Sequence, residues 1–341
     1  MSHEWLLVET LGDATVVVAA GDQLKNLVPL TVFLRRNPHV DAVTAAVAES
    51  AAGVVPLRRR ILKADRIIRT VPVVMTDGRV HGVHMWLGPA DVAPAPRPTP
   101  GPLVWDLTTG VATDTTQSLV NSGMNPQEER THGRAFAEDL PTRDLNPSET
   151  RVLSLAVQNR PGATFCSTWD VTSRDGQLIT VGFVARSAME KAEDGSEHLV
   201  ARAMNWRSHR PNPVSARDNL AQRILDGLAR PGSYRALVDV NTWTLLKWLD
   251  EPCPLYDWRG RAGSPWVHPE DTRLIEAMTT QLDAGVTEQV LRLPGRAAEW
   301  VPIHVTVHRV ELEPGAVAAL VTLREPTAAE LSARSVDHSP E

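Results

Sequence analysis

Residues 266–324 constrain the fold of this chain more than any other stretch, because one helix pattern and three strand patterns follow each other within it. The helix pattern begins at His268 and Pro269, where histidine can cap the helix and proline suits the first helical position. Apolar residues then recur at helical spacing until Gly285. Residues 300–308 alternate between apolar and polar, which is the period of a strand with one buried face. We predict a helix followed by three antiparallel strands over one core.

The same order of elements occurs three times, at a spacing of roughly one hundred residues, which indicates repeated domains rather than a solenoid. In the middle copy, a helix that begins at Asn146 and Pro147 precedes strand patterns at residues 163–171, 178–186 and 198–207. The predicted segments are an N-terminal domain (1–88), a proline-rich linker (89–102), a middle domain (103–209), a connecting helix (213–230), a C-terminal domain (231–325) and a flexible tail (326–341).

Two connecting segments have their own patterns. Residues 89–102 hold six prolines, which is typical of an extended, semi-rigid linker. No two of these prolines are three apart, so a P-x-x-P ligand is disfavoured. The connecting helix carries an apolar stripe that fits either packing on its own domain or a signalling or dimer helix. This stripe consists of Leu220, Ile224, Leu225 and Leu228.

The composition argues against several classes of protein. A net charge of −6 is unfavourable for a broad nucleic-acid surface. Cys166 and Cys253 stand far apart, which argues against a disulfide framework or a zinc site and suits a reducing compartment. The N-terminus lacks the basic start of a signal peptide, and no run approaches the ~18 consecutive apolar residues of a membrane span. We expect a cytoplasmic protein with no membrane span and no nucleic-acid partner.

Several runs of residues carry a family resemblance. The run from Ala236 to Leu246 (ALVDVNTWTLL) and the helix start from Trp266 to Asp271 (WVHPED), followed by the terminal strands, resemble a PAS domain. The run VWDLTTG at residues 104–110 resembles the first strand and turn of such a domain, and the first domain is PAS- or GAF-like in its element order. The whole chain resembles the mycobacterial triple sensor-domain proteins, which consist of three PAS/GAF-like domains without an effector domain.

This resemblance implies an α+β fold of three tandem PAS/GAF-like domains, each a central antiparallel sheet flanked by helices. It also implies a cleft between helices and sheet that binds a small molecule or a protein. Five aromatic residues lie in the part of the last domain that would line this cleft: Trp243, Trp248, Tyr256, Trp258 and Trp266. Their rings suit a ligand pocket, but the interpretation that they fill a hydrophobic core with few other aromatic residues is favoured.

The sequence offers no recognisable catalytic or metal-binding set. His81 and His84 are three apart on a predicted strand, so their side chains point to opposite faces. His304 and His308 share a face but lie about 13 Å apart. Neither a nucleophile–base pair nor a phosphate-binding glycine motif occurs. We therefore predict no catalytic residues, no metal and no cofactor.

The expected function is that of a non-enzymatic, cytoplasmic sensor or signalling adaptor. Its domains would bind a small molecule or a partner protein, and an effector protein supplied in trans would carry the output. The chain would be able to form a homodimer. The alternative is a constitutive protein–protein scaffold without a ligand. A sensor predicts an apolar cavity with a few polar groups, whereas a scaffold predicts packed interiors and exposed apolar patches.

Overall fold

The structure is a computed structural model, and it describes residues 4–140, 147–158, 160–173, 175–209, 220–260, 262–297 and 299–337. Three antiparallel sheets follow each other along the chain, and helices pack against them. Among the helices that it describes, none combines the length and the apolar character needed to cross a membrane.

The N-terminal domain is a six-stranded sheet with the order β3-β2-β1-β6-β5-β4. Its elements are β1 (Leu6–Glu9), β2 (Val16–Ala20), β3 (Gln23–Pro29), α1 (Leu30–Phe33), α2 (Val40–Gly53), β4 (Leu57–Ile61), β5 (Arg66–Val74) and β6 (Val80–Pro89). Helix α2 buries Val43, Ala46 and Val47, which lie at helical spacing, against β5 and β6. The turn between β5 and β6 contains Gly78 at a φ of 83°, a left-handed conformation that glycine adopts without strain.

The middle domain has the order β10-β11-β12-β7-β8-β9. Its elements are β7 (Gly101–Asp106), β8 (Val111–Thr113), α3 (Thr116–Asn121), β9 (Arg134–Ala135), α4 (Pro147–Gln158), β10 (Thr164–Thr172), β11 (Leu178–Lys191) and β12 (Glu197–Ser208). The three strands predicted after the helix are confirmed as β10 to β12. Asn146, the predicted cap of that helix, lies outside the described residues. Helix α3 begins with a capping box, in which Thr115 and Ser118 each accept a backbone hydrogen bond from the other.

The C-terminal domain is a five-stranded sheet with the order β14-β13-β17-β16-β15. Its elements, with the helices beside them, are α5 (Leu220–Gly227), β13 (Ser233–Asp239), β14 (Leu245–Trp248), α6 (Thr272–Gln281), β15 (Thr287–Pro294), β16 (Trp300–Glu313), β17 (Ala316–Arg324) and α7 (Ala328–Asp337). His268 accepts a hydrogen bond from the Glu270 amide and Pro269 follows it, at a 3₁₀ turn that leads into α6. The predicted helix and three strands are therefore confirmed.

The three sheets share one strand order. In each domain the last strand lies between the first strand and the strand that precedes the last, as in the β13-β17-β16 part of the C-terminal sheet. The N-terminal and middle sheets have identical orders, and each adds one edge strand, β3 or β9, to the five-stranded arrangement. The expected α+β class with three antiparallel sheets is thus observed.

Two predicted boundaries of the linker are wrong. Pro89 belongs to β6, and residues 101–102 belong to β7. The chain between them is docked on the N-terminal domain, because the Trp5 indole N–H donates to the Ala95 carbonyl over 2.9 Å and the Arg97 guanidinium lies over the Trp5 ring. These contacts hold the linker on that domain, so it does not act as a free spacer.

The flexible tail predicted at residues 326–341 is also wrong where the chain is described, because residues 328–337 form α7. Polar composition suggested fraying, but polar side chains anchor this helix: Glu330 pairs with Arg324 at 2.6 Å, and Arg334 pairs with Asp271. Of the predicted connecting helix at 213–230, residues 213–219 lie outside the described part, α5 covers 220–227, and residues 228–230 are not helical.

The N-terminal and middle domains pack sheet against sheet. Contacts join β3 to β10, β6 to β12 and β5 to β7. The buried cluster between them contains Leu7, Val16, Val18, Ala19, Val73, Val184, Met204 and Trp206. At the edge of this cluster, the buried Glu9 carboxylate pairs with Arg186 at 3.0 Å. Apolar burial and a charged rim together fix the two domains against each other.

Two buried histidines make this half of the protein sensitive to acid. His81 Nδ1 lies 2.9 Å from the Ala203 carbonyl, and its Nε2 lies 3.2 Å from Arg202, an arrangement that requires a neutral ring. Burial and the nearby Arg202 cation lower the pKa of His81 to about 4. Burial, with the Arg97 cation beside it, lowers the pKa of His84 to about 3.

We expect the histidine contribution to stability to be complete above pH ~6.5, the usual pKa of histidine, and to fall as the pH drops towards 4, because only the unfolded chain binds the protons freely. His81 alone contributes a loss on the order of 3 kcal/mol at pH 4. Urea denaturation between pH 7 and pH 4 measures this loss. The variant His81→Gln should flatten the profile, and His132→Gln, at an exposed loop position, serves as the control. An unchanged profile in His81→Gln contradicts the assignment.

The middle and C-terminal domains share helix α4. It contacts β10 of its own sheet and β16 and β17 of the C-terminal sheet. A β-bulge leaves Leu246 without a partner on β13, since Lys247 pairs with Leu237 and Leu245 pairs with Val238. Leu246 and Leu237 join the apolar cluster of the middle domain, and the Lys247 ammonium lies 2.9 Å from the Glu149 carboxylate of α4. Both charged side chains are almost fully buried.

Candidate functional site

The C-terminal domain encloses a small apolar cavity of about 30 Å³. It is lined by Ala236, Val238, Trp243, Leu245, Trp248, Tyr256, Trp266, Leu293, Val305, Val321 and Leu323. The sheet supplies one wall through inward-facing residues of β13, β15, β16 and β17. The turn before β14, β14 itself and the irregular residues 249–260 and 262–268 supply the rest. We call this cavity and its lining the aromatic cleft.

Trp243 forms a fixed wall of the aromatic cleft. Its backbone has a φ of 56°, which is rare for a bulky residue and costs on the order of 1–3 kcal/mol unless the surroundings hold it. Its indole N–H donates to Thr279 Oγ1 on α6 over 3.0 Å. The Trp266 ring stacks on it, with centroids 5.3 Å apart and an interplanar angle of 8°. Strained residues held in this way recur at ligand-binding positions.

Trp248 lies at the centre of the other aromatic group. Its ring contacts Tyr256 at 6.5 Å and meets Trp258 edge-on at 6.0 Å between centroids. The Trp248 indole N–H is buried and has no hydrogen-bond partner among the described residues. Burial raises the pKa of the Tyr256 hydroxyl, so this group stays neutral. The Arg259 guanidinium lies 4.9 Å from the Trp258 ring centre, on the outside of the group.

The structure brings together the five aromatic residues singled out in the sequence. Trp243, Trp248, Tyr256 and Trp266 line the cavity, whereas Trp258 packs behind Trp248 and does not line it. The sequence reasoning missed the sheet wall, for example Val305 and Val321. Val305 alternates with polar neighbours, and this pattern marks it as inward-facing. Val321 follows Leu320 in an apolar run, so alternation gives no such signal there. Whether these residues bind a ligand stays a prediction.

The size of the cavity limits what it accepts in this conformation. A cavity needs a volume of about 10–15 Å³ to hold one water molecule, whereas pockets for drug-sized ligands have about 300–1,000 Å³. The aromatic cleft has a volume of about 30 Å³, which is enough for one or two water molecules. A larger ligand therefore requires the irregular residues that line the cleft, Tyr256 and Trp266, to move away from the sheet.

Asp271, the last residue of the WVHPED run, anchors two elements beside the cleft. Its carboxylate is fully buried and accepts hydrogen bonds from the Arg292 backbone at 2.8 Å and from the Arg334 guanidinium of α7 at 2.6 Å. Burial opposes the charge, but the hydrogen bonds from Arg292 and Arg334 prevail and lower the pKa of Asp271 to about 2. This carboxylate joins the start of α6 to β15 and α7.

We expect Asp271→Asn to destabilise the domain by about 2–3 kcal/mol and to release α7, because the hydrogen bonds to a charged group are lost. Since the folded-state pKa is lowered, the contribution is complete above pH ~3.8 and is lost as the pH falls towards 2. Urea denaturation and hydrogen exchange in α7 measure both effects. The control is Glu270→Gln, whose exposed side chain also pairs with Arg292. Equal effects of the two variants contradict the anchoring role.

Across the part of the chain that the structure describes, no three His, Cys, Asp or Glu side chains come together as a metal-binding group. His304 is buried beside Glu330 at 3.4 Å, and His308 is exposed. Both cysteines are free thiols, and burial raises the pKa of Cys166 to about 12. This thiol therefore stays protonated near neutral pH and is a poor nucleophile.

The fold defines a class: a protein of three tandem α+β domains whose antiparallel sheets share one strand order. The chain belongs to the Rv3651-like family. Profiles of this family match residues 4–96 (Rv3651-like, N-terminal), 99–208 (Rv3651-like, middle domain) and 218–334 (Rv3651-like, C-terminal domain). The three-domain architecture expected from the sequence is therefore confirmed, and the PAS or GAF nature of the domains stays a prediction.

A crystal structure of an uncharacterized protein from Mycobacterium tuberculosis is similar to this chain, with 57% identity, a TM-score of 0.90, and coverage of 98% of this chain and 99% of that one. A sensory box histidine kinase/response regulator from Burkholderia thailandensis E264 has 15% identity and a TM-score of 0.24, covering 38% of this chain and 88% of that one. An RNA-binding light-oxygen-voltage receptor has 9% identity and a TM-score of 0.25, covering 70% and 98%. These two TM-scores are too low to support a shared fold. A comparison with the curated proteins returns no match.

Proposed function

We propose that this chain is a non-enzymatic signalling adaptor of the cytoplasm, whose C-terminal domain senses a small molecule through the aromatic cleft. An effector protein supplied in trans would receive the output. One observation supports the proposal above all others: an apolar cavity inside the domain has an aromatic lining and an unpaired buried indole N–H. Apolar walls with a few polar groups are typical of small-molecule sites.

The position of the cleft supports a role in signalling. Strands β13 and β14 line the cavity through Ala236, Val238 and Trp248. On their other face, Leu237 joins the apolar cluster of the middle domain and Lys247 pairs with Glu149 of α4. The same two strands thus have the cleft on one face and the middle domain on the other. A ligand that binds two arrangements of these strands with different affinity would shift the equilibrium between two packings of the domains.

The alternative, a constitutive scaffold, is favoured by a different observation. The cleft holds about 30 Å³, and the three domains are joined by buried contacts. Exposed apolar side chains on and after α5, Ile224 and Leu228, offer a surface for a partner or a second copy. In that case the aromatic residues are core, and no ligand is needed.

Native and denaturing mass spectrometry of freshly purified protein test the proposal. A sensor with a retained ligand shows extra mass under native conditions that disappears on denaturation. The variant Val321→Leu, which adds one methylene at the cavity wall, should reduce this occupancy, and Val54→Leu, at an exposed position of the N-terminal domain, is the control. If no mass is retained and small apolar molecules added to the protein do not bind either, the scaffold is the better account.

A further inference from the structure

We propose that the aromatic cleft takes an uncharged, flat, largely apolar molecule that carries one hydrogen-bond acceptor, and that the Trp248 indole N–H binds this acceptor. This inference rests on the proposed function, because it names the class of ligand for the same site. Three features of the cleft support it. Its lining residues are uncharged, the Trp248 indole N–H has no partner among the described residues, and its two stacked indole rings are anchored unequally.

The cleft excludes charged ligands. All eleven lining residues are uncharged. Among the charged residues that adjoin lining residues in sequence, Lys247 pairs with Glu149 in the interface with the middle domain, and Arg235 pairs with Asp250. Asp271, at the start of α6, already binds two arginines. Since an ion buried without a partner is strongly unfavourable, carboxylates, phosphates and ammonium groups do not suit this site.

Trp248 contributes a buried hydrogen-bond donor to the cleft that has no partner among the described residues. Among the lining tryptophans, Trp243 donates its indole N–H to Thr279 Oγ1. The Trp248 indole N–H, by contrast, is buried without a partner in the described part of the chain. A buried donor that lacks an acceptor is destabilising, and indole can donate but not accept. A ligand with an acceptor removes this deficit, whereas a hydrocarbon of the same shape does not.

The two stacked rings differ in how firmly they are held. Trp243 is fixed by its hydrogen bond to α6 and by its left-handed backbone in the turn before β14. Trp266 belongs to the irregular residues 262–268, is half-buried, and contacts Trp243 through parallel stacking. Displacement of the Trp266 ring leaves a flat aromatic surface on Trp243. A planar ligand that stacks on Trp243 replaces the Trp266 ring by its own ring, so little apolar contact is lost.

Three bicyclic probes of matched shape test the inference with the full-length protein. Quinoline has one acceptor and is neutral at pH 7.5, naphthalene has no acceptor, and N-methylquinolinium carries a fixed positive charge. We expect quinoline to bind about tenfold more tightly than naphthalene, and N-methylquinolinium not to bind. Calorimetry gives the affinities. Proton–nitrogen spectra of protein labelled at tryptophan show whether the Trp248 indole signal shifts with quinoline and not with naphthalene.

The variants Trp248→Phe and Trp258→Phe form a matched pair, because the two rings touch and only Trp248 lines the cavity. Trp248→Phe should reduce the preference for quinoline over naphthalene to below about twofold, and Trp258→Phe should keep it. If Trp248→Phe does not fold, the spectra of the unmodified protein test the role of Trp248. A Trp248 indole signal that shifts with quinoline and not with naphthalene supports it, and a signal that does not shift with quinoline contradicts it. Equal affinity for quinoline and naphthalene overturns the ligand class and leaves the cleft as a binding site. If no probe binds, even to Trp266→Ala, the proposed function fails as well.

Discussion

Replacing Lys247 by methionine is expected to lower the free energy of unfolding by about 3–5 kcal/mol, because the buried Glu149 carboxylate then loses the ammonium group with which it pairs. The two groups lie 2.9 Å apart, and their side chains are 0% and 3% exposed. Removing one partner of such a deeply buried pair lowers the stability of the protein more than removing both partners does. The double variant Lys247→Met, Glu149→Leu should therefore recover most of the loss.

Urea denaturation followed by tryptophan fluorescence measures this effect, and the double-mutant cycle isolates the interaction between the two residues. Arg309→Met is the matched control, because Arg309 pairs with Asp283 at the surface, with side chains 47% and 92% exposed. That variant should change stability by less than about 1 kcal/mol. If Lys247→Met is as mild as Arg309→Met, the pair does not hold the middle and C-terminal domains together.

Replacing Arg134 by methionine is expected to have an equally large effect, about 3–5 kcal/mol, in the middle domain. The buried Arg134 guanidinium pairs with two buried carboxylates, those of Asp114 and Asp139. The Trp105 indole N–H also donates to Asp139 over 2.6 Å. Without the cation, two carboxylates face each other in the core and repel.

The effect of Arg134→Met should increase with pH. Burial, together with the neighbouring Asp114, raises the pKa of Asp139 to about 7 even with Arg134 present. Because this folded-state pKa is raised, the protonated carboxyl is the favoured form, and stability is lost as the pH rises through 7. Loss of the cation strengthens this trend, so the variant should be closer to the unmodified protein at pH 5 than at pH 8. Arg130→Met, at an exposed position, is the control. A defect that is larger at pH 5 contradicts this account.

Local patterns in the sequence predicted much of the fold. Alternation in residues 300–308 is a short-range signal, and β16 follows it with Ile303, Val305 and Val307 buried. The start of α6 was equally clear, because His268 and Pro269 act on the adjacent backbone. Such features depend on neighbours within a few residues, so the sequence alone contains them.

Features that depend on distant residues could not be predicted. Lys247 lies in a strand pattern, and nothing near it in sequence indicates a partner 98 residues away. The charged residues of α7 resembled a solvated tail because Asp271, which binds Arg334, lies 63 residues upstream. The five aromatic residues were identified correctly as neighbours in the C-terminal domain. The small volume of the cleft and the left-handed backbone at Trp243 depend on packing that no residue pattern encodes.

The sharing of α4 between two sheets has a consequence for synthesis of the chain. The ribosome releases domains from the N-terminus onward at about 5–20 residues per second, so the first two domains emerge several seconds before β16 and β17 exist. During that interval the surface of α4 that later meets the C-terminal sheet, with Glu149 on it, is open to solvent. A nascent chain in this state exposes an apolar helix face, to which a chaperone can bind.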